Sequence, residues 1–127
     1  LLNEKNNGEA VLKLIHDDLV LSAHDVSNGG IITSLFEMTN SSKLGVKIEK
    51  PKNLKNLFEY YFGEDQGRYI LEIDSKNISR VEKYLNSSSI FYERIGATQK
   101  DFFEINNEMK ISINDLFEIN NKWYNNY

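Results

Sequence analysis

An α/β (α+β) fold, a compact domain with a mixed β-sheet covered by helices, is predicted by two features of the chain. Strand-like and helix-like segments alternate along it, and the last two strand-like segments adjoin through a short polar turn, as a hairpin does. The hairpin argues against purely parallel winding. The 127 residues are expected to form one domain, 1–127, long enough to bury roughly two thirds of the unfolded surface.

Each element has its own sequence signal. A first helix is expected over 9–18, after Gly8, with Val11, Leu12, Leu14 and Ile15 as its apolar stripe. The short apolar run over 19–24 reads as a strand. Ile31, Leu35 and Met38 recur at helical spacing and give a helix over 31–40. Ser41-Ser42-Lys43 turn the chain into a strand over 44–49, which the only proline, Pro51, ends. A helix then starts at Lys52 or Asn53 and reaches Tyr61, with Leu54, Leu57, Phe58 and Tyr61 at core spacing. Tyr69, Leu71 and Ile73 share one face of a strand over 68–74, and Ile78, Val81 and Leu85 line a helix over 75–86. Strands follow over 90–97, 102–105 and 109–113, the last two joined by Asn106-Asn107-Glu108. Asn114 is placed to cap a C-terminal helix.

Composition narrows the function classes. A net charge of −4 disfavours nucleic acid, whose phosphates are bound by clustered Lys and Arg. Lys47, Lys50, Lys52 and Lys55 form the densest basic group, but Glu49 and Glu59 interrupt it, as on a solvated face. No apolar run approaches the roughly 20 residues of a membrane span, and no secretory signal is present, so a cytoplasmic protein is expected. Without cysteine there is neither a disulfide framework nor a thiolate nucleophile. The asparagine doublets Asn6-Asn7, Asn106-Asn107, Asn120-Asn121 and Asn125-Asn126 fall at expected turns and form no repeat. The chain begins at Leu1 rather than methionine, as a piece of a longer polypeptide would.

Two polar loops carry the functional signal. The first is His24-Asp25-Val26-Ser27-Asn28-Gly29-Gly30-Ile31, between a strand and a helix. A Ser or Asn cap followed by two glycines leaves backbone N–H groups at the positive end of a helix, a geometry that suits a phosphate and equally suits a plain helix cap. Asp25, Ser27, Asn28, Gly29 and Gly30 are the candidate phosphate- or nucleotide-binding residues. The second loop, Phe62-Gly63-Glu64-Asp65-Gln66-Gly67-Arg68-Tyr69, offers Glu64, Asp65, Gln66 and Arg68 as ligand-loop candidates. Arg68 can pair with Glu64 or Asp65, or clamp a phosphate. Adjacent strand residues point to opposite faces, so His24 and Asp25 are not expected to join as a dyad. His16-Asp17-Asp18 reads as a helix end. Asp25, Glu64 and Asp65 could orient a cation, but adjacent loop carboxylates rarely share one Mg²⁺, and no residue is assigned as metal ligand or catalytic group.

Together the two loops resemble the H-D-V-S-D-G-G and F-G-E-x-Q-x-R signatures of the C-terminal domain of the phosphoribosylformylglycinamidine synthase family, related to aminoimidazole ribonucleotide synthase. Leu35-Phe36-Glu37-Met38, Gly45-Val46 and Arg94-Ile95-Gly96 extend the resemblance over about 8–117. Asn28 stands where the family usually has Asp. The resemblance implies an ATP-dependent ligase of purine biosynthesis that converts formylglycinamide ribonucleotide and glutamine-derived ammonia into the amidine. It also implies that Mg and ATP are handled by preceding domains of the synthase, and that a glutaminase subunit and a small bridging subunit are partners. In the earlier of the family's two copies of this domain the matching loop touches the substrate, whereas this chain resembles the later copy. The isolated chain is then expected to be inactive and to bind no cofactor itself, and Phe58, Tyr60, Tyr61 and Phe62 form an apolar surface that the synthase would cover or a homodimer would bury. The alternatives are another enzyme of the superfamily, such as aminoimidazole ribonucleotide synthase, selenophosphate synthase or a hydrogenase maturation protein, or a noncatalytic interaction fragment.

Overall fold

The computed structural model describes residues 2–49, 56–106 and 108–125, with residues 124 and 125 described by backbone alone. Its elements run α1 (Leu2–His16), β1 (Ser22–Asp25), α2 (Gly30–Ser42), β2 (Gly45–Ile48), α3 (Leu57–Phe62), β3 (Tyr69–Glu72), a single 3-10 turn (Ser75–Asn77), α4 (Ile78–Ser87), β4 (Gly96–Gln99), β5 (Phe102–Ile105), β6 (Met109–Ser112) and α5 (Ile113–Asn125). Strands and helices alternate and end in a hairpin, as the sequence predicts. The strands part into two sheets: an antiparallel pair β1-β3, and a mixed sheet in the order β4-β2-β5-β6 with β2 and β5 parallel. The expectations for Lys50, Pro51, Lys52, Asn53, Leu54, Lys55, Asn107 and Asn126 lie outside the described residues.

The chain forms two compact units. The first comprises Leu1–Ser34 and Phe58–Glu93. Its core gathers Ala10, Leu14, Leu19, Val81 and Leu85, with Val20, Leu71, Ile73, Tyr84, Ile90 and Tyr92 packed around them. Two helix ends close on this core in the same way. At the end of α1, Asp18 takes a left-handed φ of 53°, Asp18 N–H bonds Ile15 O at 3.1 Å and Leu19 N–H bonds Leu14 O at 3.0 Å. After α4, Ser89 takes φ 55°, and the amides of Ser89 and Ile90 bond Asn86 O and Leu85 O. These are Schellman caps, and the residue after each left-handed turn is driven into the core beside the last turn of its helix.

That capping explains two departures from expectation. Residues 90–95 form no strand, because Ile90 and Tyr92 pack into the first unit's core, and the next strand begins only at Gly96. The first strand likewise starts at Ser22, since Leu19 closes α1. α1 itself begins at Leu2, with Gly8 inside it, because tertiary contacts outweigh glycine's poor helix propensity: Asn7 Nδ2 donates to Gly67 O at 2.9 Å. α1 buries Ala10 and Leu14 and leaves Leu12 and Ile15 exposed, so its stripe is narrower than expected. In β3, Ile70 is the buried residue, Leu71 and Ile73 pack on the core, and Tyr69 is exposed.

The second unit comprises Leu35–Leu57 and Arg94–Tyr127. Val46, Ile48 and Phe103 are buried on neighbouring strands of its sheet. Gly45 and Gly96 lie so close to adjacent strands that a Cβ on either would overlap a carbonyl oxygen, of Phe102 and Lys47 respectively. Glu104 is buried, and the ladder places Lys47 and Lys110 directly opposite it, at 3.3 and 3.9 Å. The charge is thus paired from both sides, as burial requires. Ser112, not Asn114, caps α5: its hydroxyl accepts from Asp115 N–H at 3.2 Å. Asn114 lies in the first turn.

In the first unit, burial and then the Glu93 carboxylate, 3.5 Å from the phenol oxygen, push Tyr60 up to about 12 from 10.0. The fold therefore favours the neutral phenol. Its contribution is complete below pH 10, where both states are protonated, and is lost as pH rises towards 12 because the unfolded chain ionises first. Denaturation midpoints measured between pH 10 and 12 should fall more steeply for the wild type than for Tyr60→Phe; parallel profiles would show that this phenol is not the group responsible.

Candidate functional site

β1 and β3 pair antiparallel, with Asp25 opposite Tyr69, and each leads into or out of one of the two polar loops. Val26 N–H bonds Arg68 O at 2.9 Å, which carries the pairing one step beyond the strands. The two stretches that stood out in the sequence are therefore neighbours in the first unit. Their nearest polar link is direct: Gly29 N–H donates to Glu64 Oε1 at 2.8 Å. A backbone amide expected to face a phosphate thus faces a carboxylate of the chain itself. The attraction is the one an anion would feel, a negative group beside the positive start of a helix.

The start of α2 is tightly set. Gly29 and Gly30 have φ of 78° and 70°, a region L side chains rarely adopt. A Cβ on Gly30 would lie 2.6 Å from Tyr61 O and 2.7 Å from the Phe62 backbone, so the beginning of α2 rests against the end of α3 with no room for a side chain. Gly30 N–H bonds Ser27 O at 3.0 Å, so Ser27 supplies its carbonyl to the turn. The Ser27 and Asn28 side chains are exposed. Asp25 is exposed at the end of β1, and its carbonyl receives the Ser34 hydroxyl at 3.1 Å.

His24 Nδ1 lies 2.6 Å from Asp25 O and 3.7 Å from Asp25 Oδ1. The two side chains come nearer than opposite faces suggest, because Asp25 ends the strand, but 3.7 Å is too long for a hydrogen bond. In the second loop, Arg68 Nη2 reaches the Gly63 carbonyl and stands 3.4 Å from Asp65 Oδ2, while its Nε is buried with no hydrogen-bond partner among the described residues. Arg68 therefore pairs with Asp65 rather than Glu64. Gln66 is exposed in the turn before Gly67, whose φ is 75° and whose α-carbon faces Glu4 of α1. α1 ends at His16 and Asp18 takes the left-handed cap, so His16-Asp17-Asp18 is a helix terminus, where Lys13 holds the Asp17 carboxyl below its usual range through a 3.0 Å bond. Among the described residues no three His, Cys, Asp or Glu side chains converge as metal ligands.

Sequence reasoning missed Ser34 and Asn7. Ser34 is 2 % exposed and donates to Asp25 O and Gly30 O, which ties the end of β1 to the first turn of α2. Its signal was a hydroxyl on the stripe that also carries Ile31 and Leu35. Asn7 gave none, because its partner, a carbonyl, lies 60 residues away in sequence.

The comparisons with known proteins agree on one family. The family described as AIR synthase related protein, C-terminal domain, matches residues 1–105. The phosphoribosylformylglycinamidine synthase subunit PurL of Pelagibacter ubique is 46 % identical over all 127 residues, and that of Bradyrhizobium diazoefficiens is 33 % identical over 128 aligned positions. In both, the chain spans 17 % of the relative's length. Among solved structures, Thermotoga maritima PurL complexed with FGAR superposes on 89 % of this chain at TM-score 0.76, with 20 % identity and 20 % of its own length matched. The same protein complexed with ATP gives 0.72 over 87 % of this chain and 21 % of its own, at 18 % identity. These two establish likeness of fold.

Gly30→Val should lower stability by more than about 2 kcal/mol, since a branched side chain meets both the left-handed φ and the α3 backbone. Gly29→Ala should cost about 1 kcal/mol, since its added carbon meets the movable Thr33 side chain. Denaturant unfolding of the two variants checks the order, and equal midpoints would contradict the packing described.

Proposed function

The chain belongs to the family described as AIR synthase related protein, C-terminal domain, and from that premise we propose that residues 1–127 are the C-terminal domain of a phosphoribosylformylglycinamidine synthase. The observation that carries this reading is the 46 % identity to PurL along the entire chain. The direct bond between its two motif loops supports it, because it gives both loops a place in one local structure. The whole synthase would join formylglycinamide ribonucleotide to glutamine-derived ammonia, with ATP phosphorylating the amide oxygen so that ammonia can displace it.

This domain's share in that reaction is architectural. Its residues do not suit MgATP: the Gly29 amide is already engaged by Glu64, and Arg68 by Gly63 and Asp65. No step through ATP is assigned to them, and nucleotide and metal fall to the preceding domains. Release of ammonia from glutamine requires a nucleophile such as cysteine, and this chain has no cysteine; in this reading the step falls to a glutaminase subunit that works with a small bridging subunit. The compartment is the cytoplasm; no helix among the described residues is long and apolar enough to cross a membrane.

Phe58 and Phe62, 77 % and 51 % exposed, stack at 5.9 Å, while Tyr61 beside them is buried. One face of α3 thus supports the unit's core and the other offers an aromatic pair, which the rest of the synthase covers in this reading. A synthase from a related bacterium, with its C-terminal domain replaced by this chain, should restore growth without purines to a strain lacking the enzyme. The purified 127-residue chain, given formylglycinamide ribonucleotide, MgATP and ammonium, should release no ADP above background. Turnover by the chain alone, or failure of a well-expressed chimera, would overturn the proposal.

A further inference from the structure

The sequence contains two Asn-Gly dipeptides, Asn7-Gly8 and Asn28-Gly29. Glycine after asparagine leaves the following backbone nitrogen free of steric protection, which makes the pair chemically labile wherever the backbone can bend. The two sites differ in surroundings. Asn7 and Gly8 lie inside α1, and the Asn7 side-chain amide is held by Gly67 O. Asn28 and Gly29 form the turn before α2, the Asn28 side chain is exposed, and Gly29 has a φ of 78°. The Gly29 nitrogen donates to the Glu64 carboxylate at 2.8 Å.

We infer that Asn28 is a site of spontaneous deamidation whose rate is set by Glu64. In this step the Gly29 nitrogen gives its proton to hydroxide and its electron pair forms a bond to Asn28 Cγ. The Cγ–Nδ2 bond breaks, and the side-chain nitrogen takes a proton from water and leaves as ammonia. Water then opens the imide ring at one carbonyl or the other, leaving aspartate or isoaspartate at 28. Water is the only co-reactant, and no atom changes oxidation state.

Glu64 opposes the first event in two ways. It engages the Gly29 N–H in a charge-assisted hydrogen bond that must break before the nitrogen can attack, and its negative charge disfavours the amide anion that must form 2.8 Å away. The helix protects Asn7-Gly8 differently, by engaging the glycine amide within the α1 ladder and fixing the backbone. The product at 28 gains a negative charge beside Glu64, and isoaspartate adds a methylene to the main chain before Gly29. Both changes weaken the link between the two loops, so conversion at Asn28 acts on the structure that Glu64 maintains.

The wild type, Glu64→Gln and Glu64→Ala are incubated in parallel at neutral pH, and conversion at Asn28 and Asn7 is read by peptide mapping and by enzymatic methylation of isoaspartate. Asn28 should convert in all three, on the order of tenfold faster in Glu64→Ala than in the wild type, with Glu64→Gln between them because its side-chain carbonyl still accepts. Asn7 should persist throughout, which reports that α1 remains folded. If Glu64→Ala also converts Asn7, it has unfolded, and Glu64→Gln against the wild type decides alone. Conversion no faster in the folded Glu64 variants than in the wild type, or an Asn28 as persistent as Asn7, overturns the inference.

Discussion

The first unit depends on how closely the start of α2 can approach the end of α3. At Gly30 the approach is backbone to backbone, and a single methyl group would collide with Tyr61 O. With α2 placed there, Gly29 N–H points at Glu64, Ser34 reaches the carbonyls of Asp25 and Gly30, and Arg68 turns back onto Gly63 and Asp65. The double glycine thus serves the packing of two helices as much as the turn. The positive end of α2 receives its negative partner from within the chain.

This arrangement recasts the anion-binding geometry that the sequence suggested. A glycine-rich turn opening a helix has the same residues whether it holds a phosphate or closes on a neighbouring carboxylate, since both satisfy the same amide. What separates the two is a partner 35 residues away in sequence, which local pattern cannot register.

Much of the fold was legible because periodicity and turn chemistry act locally. β5 fell at its expected bounds, α2 within two residues and α4 within three residues of theirs, and the hairpin joined the strands expected. The two misplaced strand starts share a cause, the helix ends before them. Asp18 and Ser89 take left-handed conformations without being glycine, so neither cap announced itself, and the apolar residues behind them were read as strand when they serve as core. The two loops were legible as important. That they are tied to each other, and that Ser34 and Asn7 anchor them, follows from tertiary contacts that no spacing encodes.

The central claim is that Glu64 holds the Gly29 amide in solution. Hydrogen exchange at Gly29, followed by NMR in the wild type and Glu64→Ala, tests it most directly, with the Val26 amide, bonded to Arg68 O in the strand pairing, as reference. Loss of the carboxylate should speed Gly29 exchange by roughly tenfold and leave Val26 unchanged. Equal Gly29 rates in the two proteins would show that the carboxylate does not hold the loop.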